Sequence, residues 1–596
     1  MLATLYSLGT LITLVLTAYG IGRPLVRWLK AGDDGVLATT VWSMGLGFVA
    51  TGCLLSAAAF FQVLTPLFIV VMTIAGSFWG LGEVACAFLA IRNPLATEIS
   101  VLEDLADRTM PKPPGRLLRT ALMVVFAALS LGTLAAALAP PISPAALSSS
   151  LELPKTLLRG GSIYRSISAT ASPQFGSMIY GWALVLDGPV AATLISWFFG
   201  MLLAAATALL ARPFVGRAWG WCAGSLVLLA PGLAYQMSAP LDDLMMAAFA
   251  TLALAAWWRG AVEWLSPRWF IMAGLFLGAA LATKAVAVIL LVAAAITWIV
   301  DAARHGEHRH ELALGALTCI TVASVVAIPW WAWSIVRSGT LVPLEGGPSA
   351  LVQWGPWFFA IVPGLFVARR LRGLHLLLWL TLAYLLAGWL IVPHSRAFAP
   401  LVPFLATIST WICIELSRLP TLPRRVAISS LTAIAGWMLI ASLLPVVDRW
   451  SVACGAQSRA DYLRRHVGTF AAAEVANRVV HRGSRLLSQD GCALYFDCPV
   501  VTEADCRLPE APISSQGQPA AVLQRLFQAG FTHLLLCSPL GGADDSLTSD
   551  TLLAQAVGAE LAKPDPEAVL PLTEYYFTDI TGRRLHYQLL MLRGDW

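Results

Sequence analysis

Charge is what this chain has least of: Asp, Glu, Lys and Arg make up 12% of its 596 residues, against about 25% in an average soluble domain. With 58% hydrophobic residues and a mean hydropathy of +0.73, it falls outside the soluble globular class. The formal net charge is only +5, and the basic residues are scattered through short segments. No continuous basic surface can be built from them, which argues against a nucleic-acid partner. No pair of cysteines has zinc-finger spacing, so a structural zinc site is not expected. The first apolar run lacks a basic segment before it and a small-residue cleavage pattern after it, so it reads as a first membrane helix that starts outside.

Long apolar runs take the place of charge. Those near or above ~18 residues are long enough to cross a hydrocarbon core about 30 Å thick at 1.5 Å per helical residue. The runs place spans near 5–27, 36–62, 66–91, 117–139, 188–211, 218–236, 242–258, 269–283, 285–301, 313–335, 354–368, 374–392, 397–416 and 426–446. The expectation is a polytopic all-α membrane protein of about fourteen helices. Between the spans, Lys and Arg crowd into alternate loops: Arg23, Arg27 and Lys30; Arg92 through Arg119; Arg212 and Arg217; Arg259 and Arg268; Arg304 and Arg309; Arg369, Arg370 and Arg372; Arg418, Arg424 and Arg425. The positive-inside rule makes those loops cytoplasmic. The run 269–301 must then fold as two short helices with a tight outer turn near Lys284. As one long tilted helix it would put the basic clusters 369–372 and 418–425 outside.

Past Val446, polar residues return and no membrane-length run follows. The chain therefore divides into N-terminal membrane helices over 1–115, a membrane core over 116–446 with an outer loop at 140–187, and a soluble domain over 447–596, which parity places outside. In that domain 484–488 and 532–537 read as short buried strands, with an amphipathic helix at 520–529 between them. The stretches 574–579 and 585–592 flank Ile580-Thr581-Gly582-Arg583 as a β-hairpin, so a small extracytoplasmic α/β domain is expected. Five of the ten cysteines lie in it. Cys498 and Cys506 are close enough in sequence to propose as a disulfide, with free buried thiols as the plainer reading.

The outer loops carry few charges, but chemically useful ones: Glu152, Lys155, Arg159, Asp242, Asp243, Lys284, Arg337, His394 and Arg396. Ionisable groups at membrane depth are costly and usually line a site or a pathway. Cations facing carboxylates suit an anionic, lipid-linked substrate, the cations holding phosphate and a carboxylate handling a proton or a metal. Each residue also has a structural use: Asp242 and Asp243 suit a helix start, Lys284 can snorkel, and Glu152 can pair with Lys155. Trp330, Trp331 and Trp333 fit a membrane interface on their own account. The tract of His305, His308 and His310 falls in a loop assigned to the cytoplasm and reads as solvated polar chain.

At these residues the chain resembles the membrane glycosyltransferases of the C-type fold, the superfamily of the protein O-mannosyltransferases and aminoarabinose transferases. The marks are PPISPAALSSSLELPKTLLRGGSIY at 140–164, SAPLDDLMMAAFATLAL at 238–254, LATKAVAVILL at 281–291, IPWWAWSIVRSGTLVP at 328–343 and PHSRAFAPLVPFLA at 393–406. The family's first outer loop reads D-x-L-x-Y-H-L-x-x-P, and its aspartate is the presumed catalytic base. Leu147, Leu151, Pro154 and Lys155 fit that pattern, but Ala145 stands where the aspartate should, and Ser149 and Ser150 replace Tyr and His. An alanine methyl cannot accept a proton.

The resemblance implies transfer of a sugar from a polyprenyl-phosphate donor to an extracytoplasmic glycan, lipid or protein acceptor, with inversion, in the cell membrane. It implies no covalently bound cofactor and leaves a divalent metal and the oligomeric state open. Asp243 matches the family's second outer acidic position, and Asp242 and Glu152 are the other candidate catalytic carboxylates. Lys155, Lys284, Arg337, His394 and Arg396 are the expected phosphate ligands. Two other readings stay open on the residues: a catalytically degenerate protein of the same fold that binds lipid-linked saccharide or assists a partner transferase, and a transporter.

Overall fold

The computed structural model describes all residues except 1, 31–34, 92–110, 112, 161–172, 265, 305–308, 339–361, 363–373, 392–397, 419, 482, 504–506, 509–510, 513–518, 541–551, 564–567, 580–581 and 594–596. It separates into two units, the first made of residues 1–141 and 170–454, the second of 142–169 and 455–596. The stretch 140–187 is thus divided: residues 142–169 group with the C-terminal chain from Gly455 on, while a buried helix of the membrane unit begins at Phe175.

The first unit is helical. Its elements are α1 Leu2–Trp28, α2 Val36–Phe60, α3 Pro66–Ile91 and α4 Arg116–Ala137. After α5 Glu152–Gly160, which belongs to the second unit, come α6 Phe175–Leu228, α7 Pro231–Met237, α8 Asp242–Trp258, α9 Pro267–Thr283, α10 Val288–Arg304 and α11 Arg309–Ser338. The unit continues with α12 Leu374–Ile391, α13 Leu401–Ser417 and α14 Thr421–Leu443. Among the described residues, eight helices are long and apolar enough to cross a membrane, with four shorter apolar helices beside them. One of the eight, α6, is broken twice: at Asp187–Gly188, ahead of Pro189, and at Gly216, whose φ of +81° is left-handed backbone that glycine adopts without strain. The run 218–236 is also interrupted, because α7 opens on Pro231, which suits a first helical position. The expected span 354–368 lies outside the described residues except for one position.

Helix directions follow from close contacts. Along α9 and α11, Phe270 meets Gly315, Gly274 meets Cys319 and Val322, and Gly278 meets Ala323 and Val326. Further along, Trp331 Nε1 donates to the Leu281 carbonyl at 3.1 Å. Both numbers rise together, so α9 and α11 are parallel, and α10 between them must run back. The turn is made at Lys284, which is extended (φ −152°, ψ 133°) and precedes a short 3₁₀ turn at Ala285–Ala287. This is the expected hairpin. Trp330 and Trp333, which suited an interface, are instead 1% and 6% exposed. They pack on each other, and Trp330 donates to Ser56 Oγ.

The second unit holds a five-stranded mixed sheet in the order β2-β1-β5-β7-β6, from β1 Arg485–Ser488, β2 Val500–Thr502, β5 Phe531–Leu540, β6 Val569–Thr578 and β7 Arg584–Leu592. A separate two-residue pair joins β3 Arg507–Leu508 to β4 Ala511–Pro512. β1 is parallel to β2 and β5, and β7 is antiparallel to both β5 and β6. Successive side chains point to opposite faces. Leu487, Leu534 and Leu536 therefore pack with the helices Pro519–Gln528 and Leu552–Leu561, while Leu486, Leu535 and Leu589 pack with the helix Phe470–Val479. The expected small α/β domain is present, and the hairpin β6–β7 closes its edge. Cys498 is a free buried thiol, and Cys506 lies outside the described residues.

Candidate active site

Helix α8 carries the acidic pair. Its N-cap position is Leu241, a residue with no side-chain oxygen to hold the first amides, so its start is fixed from outside. The Tyr180 hydroxyl donates to the Leu241 carbonyl at 2.8 Å. The Ser196 hydroxyl lies 2.8 Å from the Gln236 carbonyl oxygen and 2.9 Å from that of Ala239, sharing its proton between them. Buried Arg449, from the 3₁₀ turn Leu444–Arg449, donates to the Ser238 carbonyl. At Gly176, α6 passes so close that a Cβ would stand 2.6 Å from Asp242 Oδ1.

The result is one buried ion pair. Lys284 Nζ donates to Asp243 Oδ1 at 2.7 Å, the Asp243 side chain being 1% exposed and that of Lys284 20%. Asp243 Oδ2 is buried and has no hydrogen-bond partner among the described residues. Fully buried Tyr384 of α12 lies within electrostatic reach of Asp243. At the far end of α8, about 25 Å away at 1.5 Å per residue, Arg259 lies against the rings of Trp269 and Trp42, with ring centroids at 5.3 and 6.0 Å. The two ends of the bundle are chemically distinct: aromatic-flanked arginine at one, a carboxylate–ammonium pair at the other.

Glu152 and Lys155 come together in the second unit, on α5. Lys155 Nζ donates to the carbonyls of Leu494 and Phe496, and Arg159 donates to those of Phe496 and Cys498, with an ion pair to Asp497 at 3.5 Å. These two cations therefore engage the 494–498 segment of the same unit. Burial raises the Glu152 carboxyl above the usual range against the pull of Lys155 and Arg159, and its Oε2 is buried without a partner. Burial also pushes the Lys155 ammonium down to about 8, with Glu152 opposing.

Replacing Lys155 by Met leaves the Leu494 carbonyl without its donor, and should loosen α5 by about 1–3 kcal/mol. Hydrogen exchange over residues 152–160 would register it. The pH dependence has a definite sign. Between about pH 8 and 10.5 the unfolded unit binds the lysine proton and the folded one does not, so this group makes stability rise with pH across that window. The rise should be absent from Lys155→Met, so the stability difference, wild type minus variant, should increase with pH across that window.

Arg337 closes α11, and its side chain lies outside the described residues, as do His394 and Arg396 entirely. Ala145 precedes a π-helical turn at Ala146–Ser150, and Ser149 is spent on the Ala145 carbonyl. Among the described residues no group of three or more His, Cys, Asp or Glu side chains gathers. Sequence reasoning missed Tyr180, Ser196 and Arg449. The one signal it could have used was an arginine directly after the last apolar run.

No family model and no curated protein matches the sequence. Solved structures do. The crystal structure of ArnT from Cupriavidus metallidurans in the apo state superposes with a TM-score of 0.51 at 16% identity, over 78% of this chain and 98% of that one. The same protein bound to undecaprenyl phosphate gives 0.53 at 14% identity, over the same shares. The chain has the C-type glycosyltransferase fold. At these identities the likeness concerns architecture, so in this C-type chain the chemistry must be argued from its own side chains. What those supply is a carboxylate with one oxygen held by a lysine and the other unclaimed, at the end of a membrane bundle.

Proposed function

We propose that the protein is a membrane glycosyltransferase that moves a sugar from a polyprenyl-phosphate donor to an extracytoplasmic acceptor. The observation that carries this reading is the Asp243–Lys284 pair, buried at the bundle end opposite Arg259. A buried charge pair costs several kcal/mol of desolvation per ion and is weak evidence for stability alone. In a membrane chain it marks a working site. Undecaprenyl phosphate bound to a protein of the same fold supports a donor of that class.

In this mechanism the acceptor hydroxyl attacks the anomeric carbon directly. The bond from that carbon to the phosphate oxygen breaks, polyprenyl phosphate leaves with the electron pair, and the configuration inverts. Asp243 takes the hydroxyl proton on Oδ2, while Lys284 on Oδ1 orients the carboxylate. Lys284, the more exposed partner, marks the open side of the pair and faces the donor phosphate. Arg337 and Arg396 remain the further phosphate ligands of this reading, with His394 beside Arg396, and Asp242 stands in reserve as metal or proton acceptor. Topology by the positive-inside rule puts the site and the second unit outside the cytoplasm.

Purified protein in nanodiscs, given polyprenyl phosphate carrying a radiolabelled sugar and a membrane extract as acceptor, should transfer the label and release polyprenyl phosphate. A second reading, a binding protein without catalysis, is favoured by Ala145 in the first loop and by Lys155 being engaged with backbone carbonyls. It requires tight binding of the labelled donor with no release over hours.

A further inference from the structure

We infer that Arg449 is a positioning residue for Asp243, acting through the turn between α7 and α8; the inference rests on Asp243 serving the reaction proposed above. The turn 238–241 has an unusual problem. It must present Asp243 within hydrogen-bond reach of Lys284, yet it leads into a helix with leucine at the N-cap and no side-chain cap. Such a helix start is poorly defined by its own residues. The internal bond from Leu241 N to the Ala239 carbonyl, at 2.8 Å, tightens the turn but does not tie it to the bundle.

Three side chains from elsewhere do that. Tyr180 and Ser196 come from α6 and hold Leu241, Gln236 and Ala239. Arg449 comes from the far end of the membrane unit and holds Ser238, which is also the C-cap of α7. A cation there meets the negative end of the short helix. Its guanidinium also lies 5.6 Å from the Tyr235 ring centroid, so both ends of α7's last turn are gripped. Arg449 is 3% exposed, and its partners are a neutral carbonyl and a ring. A hydroxyl or an amide would satisfy one carbonyl at far lower desolvation cost. What arginine adds is a rigid planar group that fixes direction as well as distance.

The consequence for the site is geometric. With the Ser238 contact gone, Tyr180 and Ser196 still hold the α6 side of the turn, but its other side loses the side-chain tie to Ser238. Asp243 then drifts from Lys284 by a fraction of an ångström to an ångström, and displacement on that scale costs up to about 10²-fold in rate.

The test compares Arg449→Ala, Arg449→Gln and Arg449→Lys in full-length protein in nanodiscs, with two readouts. The first is hydrogen exchange at the amides of Ala239, Leu241, Asp242 and Asp243, which needs no activity. Expected is exchange about tenfold or more faster in the Ala and Gln variants, most of it recovered in Lys, with the amides of α9 unchanged. The second is transfer from a radiolabelled polyprenyl-phosphate sugar: kcat falls about 10- to 10²-fold in Ala, KM for the donor stays put, and Lys restores most of the rate. Unchanged turn amides overturn the inference whatever the activity, and so does a loss shared equally by kcat and KM that Lys does not repair. Faster turn exchange in a protein with no transferase activity in any form upholds the tether and discards the glycosyltransferase reading instead.

Discussion

Asp243→Asn is expected to lower sugar transfer by about 10²–10⁴-fold, the usual worth of a general base, in protein that still inserts and folds. The substitution is nearly isosteric. Its amide oxygen can still accept from Lys284 Nζ in the place of Oδ1, 2.7 Å away in the native pair, and the turn contacts from Tyr180, Ser196 and Arg449 go to backbone carbonyls that the change leaves alone. What disappears is the capacity of the second oxygen to take a proton. An amide nitrogen in that position donates, so the acceptor hydroxyl meets a group of the wrong polarity. The loss should fall on kcat, because the donor phosphate is held by cations, and binding of labelled polyprenyl-phosphate sugar should be retained. A rate within twofold of wild type, in protein of normal thermal stability, would remove Asp243 from the chemistry and shift attention to Glu152.

Glu152 is the alternative carboxylate because its surroundings favour its protonated form. Its carboxyl is raised by burial, and one oxygen is unpartnered. It differs from Asp243 in its cations. Lys155 and Arg159 are engaged with the carbonyls of 494–498, so they serve first to dock α5 on the rest of the second unit. The Lys155→Met exchange experiment and the Asp243→Asn rate therefore interrogate separate parts of the protein.

Much of the membrane architecture was legible in the sequence, for a physical reason. Basic residues avoid one side of the bilayer and apolar runs have a minimum length, so loop charge and run length together dictate parity. The hairpin at Lys284 is the clearest case: nothing inside 269–301 marks it except one lysine, yet the basic loops at its two ends require it, and the parallel register of α9 and α11 delivers it. The strands of the second unit were legible because β1 and β5 alternate two buried faces in short apolar runs. The break before α7 was overlooked although Pro231 announces it. The tie between α5 and the 494–498 segment joins residues more than 300 positions apart in the chain. Tyr180 and Ser196 left no local trace, and Arg449 only its place directly after the last apolar run, since each bonds to backbone whose position depends on the packed bundle.

Lys284→Met carries the largest expected effect on stability, because it separates the two functions that the ion pair combines. Methionine matches the lysine stem in length and fills the same space, but it takes away the one cation that pairs with Asp243, 1% exposed, among the described residues. Breaking a buried pair from one side typically costs about 3–5 kcal/mol, since the remaining charge is stranded in low dielectric. The single variant should therefore be poorly folded, visible as a large drop in thermal stability in detergent. Adding Asp243→Asn removes the stranded charge, and the double variant should recover most of the lost stability while remaining inactive. That pattern, coupling in stability without rescue of activity, is what a pair retained for chemistry would give. If the double variant were both stable and active, the pair would be a packing element and the site would have to lie elsewhere. If Lys284→Met alone were as stable as wild type, Asp243 would be drawing its compensation from another group, and Tyr384 of α12, fully buried and within reach of its charge, is where to look next.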